Sequence, residues 1–592
     1  MNPKSLLPLL VLPLLLAAFP AVAQLATDAD VAVGRRIYLE GVLPNGQALR
    51  GVRSDTGAVT GAAAACVNCH RPSGLGMVEG NVGVPPINGR ALFGGGAPVI
   101  VRMDRRFDPG LSVPHAPYSE ASFLSAVRDG KHVSGRDMHA LMPRYTLSDA
   151  QSQAVSAYLK TLSTDMSPGV EGDTIHMATV IAPGVAPERR QAFINTLTTT
   201  VKQMNLNVMT GKRQKMIAVE ERRLNSRRKW TLDIWELTGP SSGWAEQLTQ
   251  RQREKPVFAL VSGLAKDEWQ PVQDFCESQR VGCWFPSVDL VPAGAAQSHY
   301  SVYFSAGIAT EAEVIARKLG TESGRVVQLV SADPVANGGA AALRGALAKA
   351  PKIAVTDVDV GQGLAAVKAA LDGLGQQDSL VLWLRPTDLK MLASLNASAA
   401  SVFVSATLGD GEKLELPTEW RKRATLVQPL EVPRLRAANL ERLDAWMAGS
   451  RVPAVDKRLQ SEVSFAANSL QAMLRGMLNN LHTDYLIERA ESGLTSFELM
   501  QVQEEIQAMM MGTMNKRPLS AAPPTAEQAA AMAALSDAQR AHLEEMQKRG
   551  GTTVYPRLNL AQGQRFASKG AYLERLNPDG PGTTGEPEWV VP

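Results

Sequence analysis

Residues 66–70 read Cys66-Val67-Asn68-Cys69-His70, and this Cys-x-x-Cys-His run constrains the chain more than anything else in it. It is the attachment signature of a c-type haem. A separation of one helical turn puts both sulfurs on one face, where two thioethers would fix the porphyrin. His70 then points at the iron as proximal ligand. Zinc would want a second Cys or His pair at comparable spacing. The only other cysteines, Cys276 and Cys283, lie far downstream. A dithiol redox pair would sit in a βαβ setting, whereas Gly- and Ala-rich sequence surrounds this one.

The N-terminal sequence reads as an export signal over residues 1–23. Lys4 supplies the charged start, Leu6 to Phe19 is nearly uninterrupted apolar sequence, and Ala21-Val22-Ala23 is a cleavage site before Gln24. Pro8, Pro13 and Pro20 argue against an uncleaved anchor, and no Cys follows the site to carry lipid. No later stretch approaches the roughly 20 apolar residues that span a bilayer. The expectation is an exported, soluble, periplasmic protein without a membrane span once the signal is removed. A net charge of +3 is far from a nucleic-acid footprint, so no nucleic-acid partner is expected.

Downstream stands Met142-Pro143-Arg144-Tyr145, followed by a helical pattern with Val155, Tyr158, Leu159 and Leu162 on one face. Ser148 and Gln151 form a capping box at its start. With these features, residues 26–164 resemble the class I cytochrome c family. The resemblance implies an all-α cytochrome c domain holding one covalent haem c on Cys66 and Cys69. It implies His70 as proximal and Met142 as distal axial ligand, with Met138, Met77, His132 and His139 as competitors for the distal place. It also sets Gly34 and Tyr38 of an N-terminal helix against Tyr158, and a proline carbonyl from Pro85-Pro86 beside His70. His-Met ligation leaves the iron without an open position and favours electron transfer over enzyme chemistry. The stretch Arg102 to His115, with Asp104-Arg105-Arg106, is longer than a minimal cytochrome needs.

At 592 residues the chain is too long for one domain. Residues 165–172 read as a Pro/Gly-punctuated linker, and strands then alternate with helices over 173–451. Strands are expected at Ile175–Ile181, Trp230–Leu237, Pro256–Val261, Gly282–Phe285, Ser301–Phe304, Arg325–Val330 and Ser379–Leu384. Helices are expected at Pro187–Met204, Asp267–Gln279, Ala309–Leu319, Gly338–Leu347 and Gly363–Leu374. Such alternation predicts parallel sheets covered on both faces, here in two lobes. This region resembles the type I periplasmic binding proteins of the branched-chain amino-acid-binding class. Within them the nearest likeness is to substrate-binding-like proteins associated with quinoprotein alcohol oxidation.

A ligand in such a fold would lie at the carboxyl ends of the strands, between the lobes. Ser262, Ser287, Asp289, Ser305 and Asp333 follow expected strands and are the cleft candidates, although each reads equally well as a helix cap or turn residue. Asp333-Pro334 lacks the Tyr-Gly usual at this point in amino-acid binders. Cys276 and Cys283 are close enough across a helix-to-strand turn for a disulfide in an oxidising compartment, two buried thiols being the alternative.

Residues 452–550 read as a helical insertion containing Met509-Met510-Met511-Gly512-Thr513-Met514, a Pro/Ala linker at Ser520–Thr525, and an Ala/Glu/Gln-rich helix to Arg549. Without His or Cys beside them, these methionines suit packing or partner contact better than copper. Residues 551–592 read as closing strands, at Thr552–Pro556 and Ala571–Leu573, with a C-terminal tail. Arg222-Arg223 and Arg227-Arg228-Lys229 form a basic run, either solvated or a dock for an acidic redox partner. Together these readings lead to an electron carrier between a periplasmic dehydrogenase and the respiratory chain, through a cytochrome or terminal oxidase, with a fused ligand-binding or partner-docking module. The alternative is a solute-binding protein or sensor whose haem is a redox accessory.

Overall fold

The computed structural model describes residues 27–79, 82–94, 115–213, 228–320, 324–348, 353–396, 399, 401–411, 413–495, 497 and 553–592. The signal at 1–23, nearly all of the Arg102–His115 stretch, Arg222, Arg223 and Arg227 of the basic run, the methionine cluster, the Pro/Ala linker and the helix ending at Arg549 lie outside the described residues. The chain divides into two compact units, Met1–Thr164 and Asp165–Pro592.

The first unit begins with α1 (Asp28–Glu40), started by a capping box in which Thr27 and Asp30 satisfy each other's backbone N–H groups. Next come β1 (Arg50–Arg53), β2 (Gly57–Thr60), the one-turn helix α2 (Val67–His70), the hairpin β3 (Val78–Glu79) and β4 (Val82–Gly83), and α3 (Gly89–Phe93). The unit closes with α4 (Glu120–Asp129), β5 (Arg144–Tyr145) and α5 (Asp149–Thr161). Helices α1 and α5 cross where Gly34 has no side chain: a Cβ there would sit 2.0 Å from the Ala154 carbonyl oxygen. That close approach brings the Tyr38 and Tyr158 rings to 5.3 Å, the contact the family resemblance implies. The fully buried Tyr38 donates its hydroxyl to the Arg71 carbonyl at 2.6 Å, tying α1 to the turn after α2.

This unit is not all-α. Strands β2, β1 and β5 form an antiparallel sheet in which Gly51 pairs with Val59 on one side and Tyr145 on the other. The reason is local: the turn at Ser54-Asp55-Thr56 reverses the chain before the haem motif, and the residues just after Met142 add as a third strand.

The second unit opens with β6 (Val170–Glu171), β7 (Thr174–Ile181), α6 (Pro187–Arg213), β8 (Lys229–Glu236), α7 (Trp244–Glu254), β9 (Ala259–Val261), β10 (Leu264–Ala265), α8 (Gln270–Gln279), β11 (Gly282–Trp284), β12 (Ser287–Val288) and β13 (Ser301–Val302). Ser262 (φ +57°) and Gly263 break one long strand into β9 and β10, and Phe285 (φ +50°) breaks its neighbour into β11 and β12. Counted as whole strands the order is β8, β7, β9/β10, β11/β12, β13, all parallel.

The chain then crosses to a second sheet through α9 (Ile308–Leu319), β14 (Gly324–Val330), α10 (Pro334–Leu347), β15 (Ile353–Asp359), α11 (Leu364–Asp372), β16 (Ser379–Trp383), β17 (Ser401–Ser405) and β18 (Ala424–Gln428). Its order is β15, β14, β16, β17, β18, again parallel, extended by the antiparallel β19 (Ala571–Leu576) and β20 (Thr583–Val590). Numbered within each lobe, both sheets run 2-1-3-4-5, the doubly wound order whose crevice lies at the carboxyl ends of strands 1 and 3.

Two expectations are corrected here. The first concerns the region after 451: the helix α13 (Lys457–Met477) is not part of an insertion but packs in the first lobe together with α12 (Pro433–Ser450), which lies within the expected α/β region. Leu443, Met447, Val463, Phe465, Leu470 and Met477 lie in the first lobe's core beside Phe193, Phe258 and Trp284. Residues 553–557 are bends rather than a strand, although Val554 and Tyr555 join the same core. The second correction concerns Cys276 and Cys283, which are free, buried thiols and not a disulfide. They meet where the end of α8 packs on β11, and a hydrogen bond between the thiols within an apolar core satisfies both.

Candidate haem site and interlobe cleft

The haem motif lies on α2, whose Cys66 carbonyl accepts from the His70 N–H at 2.9 Å. One helical turn therefore separates the two cysteines and sets His70 at the end of the same turn. The His70 side chain is buried, at 7% exposure, and burial lowers its pKa to about 4, so the ring is neutral near pH 7. Its Nδ1 lies 3.1 Å from the Pro85 carbonyl oxygen. A carbonyl only accepts, so Nδ1 carries the proton and Nε2 keeps its lone pair for a metal. Burial also pushes the Cys66 thiol up to about 12, with the Tyr145 hydroxyl in hydrogen-bond contact.

Cys66, Met138 and Met142 pack against one apolar cluster that includes Tyr38, Leu49, Leu92, Phe123 and Tyr158. Both methionines are half-buried, as is Met77, while His139 is exposed. His132 turns instead to a surface aromatic group, 5.3 Å from His115 and 5.8 Å from Tyr118. A neutral imidazole with a free Nε2, two cysteines one turn apart and two thioethers on the same apolar cluster are the donor set that a c-type haem requires. The residues present fit that group. Arg144, whose guanidinium donates to the carbonyls of Met142 and Met138, went unread in the sequence. Its place two residues after the methionine was the available signal.

The second site lies between the lobes. A cavity of about 30 Å³ is lined by Asp289, Ser305, Thr407, Arg458, Tyr555 and neighbouring apolar side chains. Arg458 pairs with Glu462 at 3.0 Å, and both contact the Tyr555 hydroxyl, at 3.2 and 3.1 Å. Phe304 stacks on Tyr555 with ring centres 4.9 Å apart. Thr407 also donates to Glu311, from its N–H at 3.0 Å and its hydroxyl at 2.6 Å. Burial raises the Glu311 carboxyl to about 7.

Of the five cleft candidates, the structure brings Asp289 and Ser305 to this cavity. Ser262 and Ser287 are buried at the two strand breaks and do not line it. Asp333 caps α10, accepting from Val335 and Ala336, and pairs with Arg385 at 2.8 Å at the switch point of the second sheet. Arg458 was missed because its spacing from Glu462, one helical turn, is that of any solvent-exposed ion pair and carries no signal of the cleft.

A haem-attachment domain followed by a two-lobed doubly wound module is therefore the class that fold and site define. Residues 55–163 match the cytochrome c family model, and this segment is a cytochrome c domain. No curated protein matches the chain. Among solved structures it is similar to a substrate-binding periplasmic protein from Ralstonia solanacearum, at 11% identity and a TM-score of 0.42, over 68% of this chain and 98% of that one. A fatty acid ABC transporter substrate-binding protein from Thermomonospora curvata gives 12% identity and a TM-score of 0.36, over 55% and 83%. A possible leucine/isoleucine/valine-binding protein from Rhodopirellula baltica SH 1 gives 12% and 0.37, over 55% and 88%. The two-lobed architecture rests on strand order, not on these likenesses.

Proposed function

We propose that this chain is an exported monohaem c-type cytochrome that carries electrons between a periplasmic dehydrogenase and the respiratory chain, and that it is not an enzyme. The observation that supports this most is the His70 ring, neutral and held at Nδ1 by Pro85, while Cys66 of the same motif shares an apolar cluster with Met142. Cys66 and Cys69 would hold the haem covalently, and His70 and Met142 would be its axial ligands. When bound, a haem c would supply a one-electron ferric/ferrous couple, and His-Met ligation raises its potential. The protein's part is to fix the ring orientation through Pro85 and to bury the site behind Tyr38, Phe123 and Tyr158. Among the described residues no helix is long and apolar enough to cross a membrane.

The cleft favours a second, concurrent role. Asp289, Ser305, Thr407, Arg458 and Tyr555 converge on it from both lobes and the crossing segments; at about 30 Å³ it has room for little more than a water, so a polar solute would enter only with the lobes further apart. The carrier reading is tested on periplasmically expressed protein by visible spectroscopy and stopped-flow reduction with candidate dehydrogenases. Low-spin iron and reduction by one of them are expected; high-spin iron in the untouched protein would sink it. Failure of every dehydrogenase, together with a solute-induced rise in Tm of the full chain, would transfer the assignment to the sensor reading.

A further inference from the structure

The five-residue loop from Met138 to Met142 carries two of the thioethers that compete for the iron, Met142 and its nearest rival Met138, so something must decide which of them is presented. The loop has little regular structure of its own: Met138 N–H donates to the Gly130 carbonyl at 2.8 Å and Met142 N–H to His139 at 3.1 Å. Arg144 on β5 reaches back over it. One guanidinium nitrogen donates to the Met142 carbonyl, and the other to the Met138 carbonyl at 3.2 Å. The planar fork thus spans the two ends of the loop, a geometry that a lysine point charge does not reproduce. Its root is fixed as well, because β5 pairs with β1 through Arg144 and Val52.

The surface under the fork is built for it. Gly130 ends α4 in the left-handed region (φ +66°), and a Cβ at that position would fall on the Arg144 guanidinium. Side-chain-free backbone therefore supports the planar group on one side while two carbonyls hold its edge. Charge-assisted hydrogen bonds of this kind are worth more than neutral ones.

We infer that Arg144 is a positioning residue that clasps the Met138–Met142 loop and presents the Met142 sulfur to the haem iron in preference to Met138. This rests on the reading of Met142 as distal ligand. Arg144 touches no reacting atom. It acts by lowering the freedom of the loop, so its loss should make the sulfur–iron bond easier to displace without affecting covalent attachment.

The test uses the full-length ferric holoprotein with imidazole as the competing ligand, read by the sulfur-to-iron charge-transfer band. Arg144→Ala is expected to keep normal covalent haem content and helix content, to weaken the band, and to bind imidazole about tenfold more tightly than the native protein. Arg144→Lys should fall between the two, since an ammonium holds one carbonyl at a time. An unchanged band with unchanged imidazole affinity in Arg144→Ala would overturn the clasp while leaving the Met142 reading intact. A band that survives Met142→Ala but is lost in Met138→Ala would overturn both. Should Arg144→Ala misfold, Arg144→Lys alone must show a rise in imidazole affinity over the native protein for the inference to stand.

Discussion

Glu311 shows how one buried carboxyl couples stability to pH. It is fully buried, accepts two hydrogen bonds from Thr407, and has its pKa raised to about 7 by burial, from 4.5 for the free group. Ser405 and Arg458 are the other groups facing it, and both act to lower the value. Between 4.5 and about 7 the unfolded chain has released this proton and the folded chain has kept it. Stability from this group therefore falls as pH rises through that window. Glu311→Gln keeps the acceptor and removes the titration. Chemical denaturation of the variant should show a flatter stability profile between pH 5 and 8, with a difference on the order of 3 kcal/mol at full ionisation. An unchanged pH slope would show that the native carboxyl titrates normally.

At the scale of elements, the crossing of α1 over α5 depends on one missing side chain. Gly34 lies against the Ala154 carbonyl and the Tyr158 Cβ, so Gly34→Val must push the helices apart or unseat Tyr38 from Tyr158. Overpacking of this kind costs about 1–3 kcal/mol. The midpoint of thermal unfolding, followed at the haem Soret band, should drop accordingly; a midpoint within a degree of native would contradict the tight crossing. Helix α5 was legible from its capping box and apolar face, which are local signals, whereas α1 was expected only from the family resemblance. Elements whose identity depends on distant partners were not legible. Strand β15 has no buried residue, and its apolar start Ile353-Ala354-Val355 gives way to Thr356-Asp357-Val358-Asp359, yet it pairs along its whole length with β14. Periodicity marked α13 as a helix but could not say that Val463 and Leu470 pack in the first lobe. The same division holds for the sites. Cys66, Cys69 and His70 fall within five consecutive positions, whereas Arg458, Tyr555 and Thr407 meet only after the chain has crossed between lobes.

At the scale of the molecule, the two units report through different chromophores. All nine tryptophans, from Trp230 to Trp589, belong to the second unit, whereas the haem motif lies in the first. Unfolding by guanidinium followed by tryptophan fluorescence and by haem absorption should therefore give two curves with separate midpoints. Coincident curves at every protein concentration would mean that the units unfold as one. The second unit also differs from the first in how its chain is laid out. Its path runs from the first lobe to the second at α9, back at α12, and out again at β19, where Thr425 pairs with Arg575. In the first unit every pairing closes within residues 27–164. As the chain emerges N-terminus first into its final compartment, the cytochrome unit can therefore fold while most of the chain is still to arrive. The second lobe must wait with the edge of β18 uncovered until the last few dozen residues arrive to cap it.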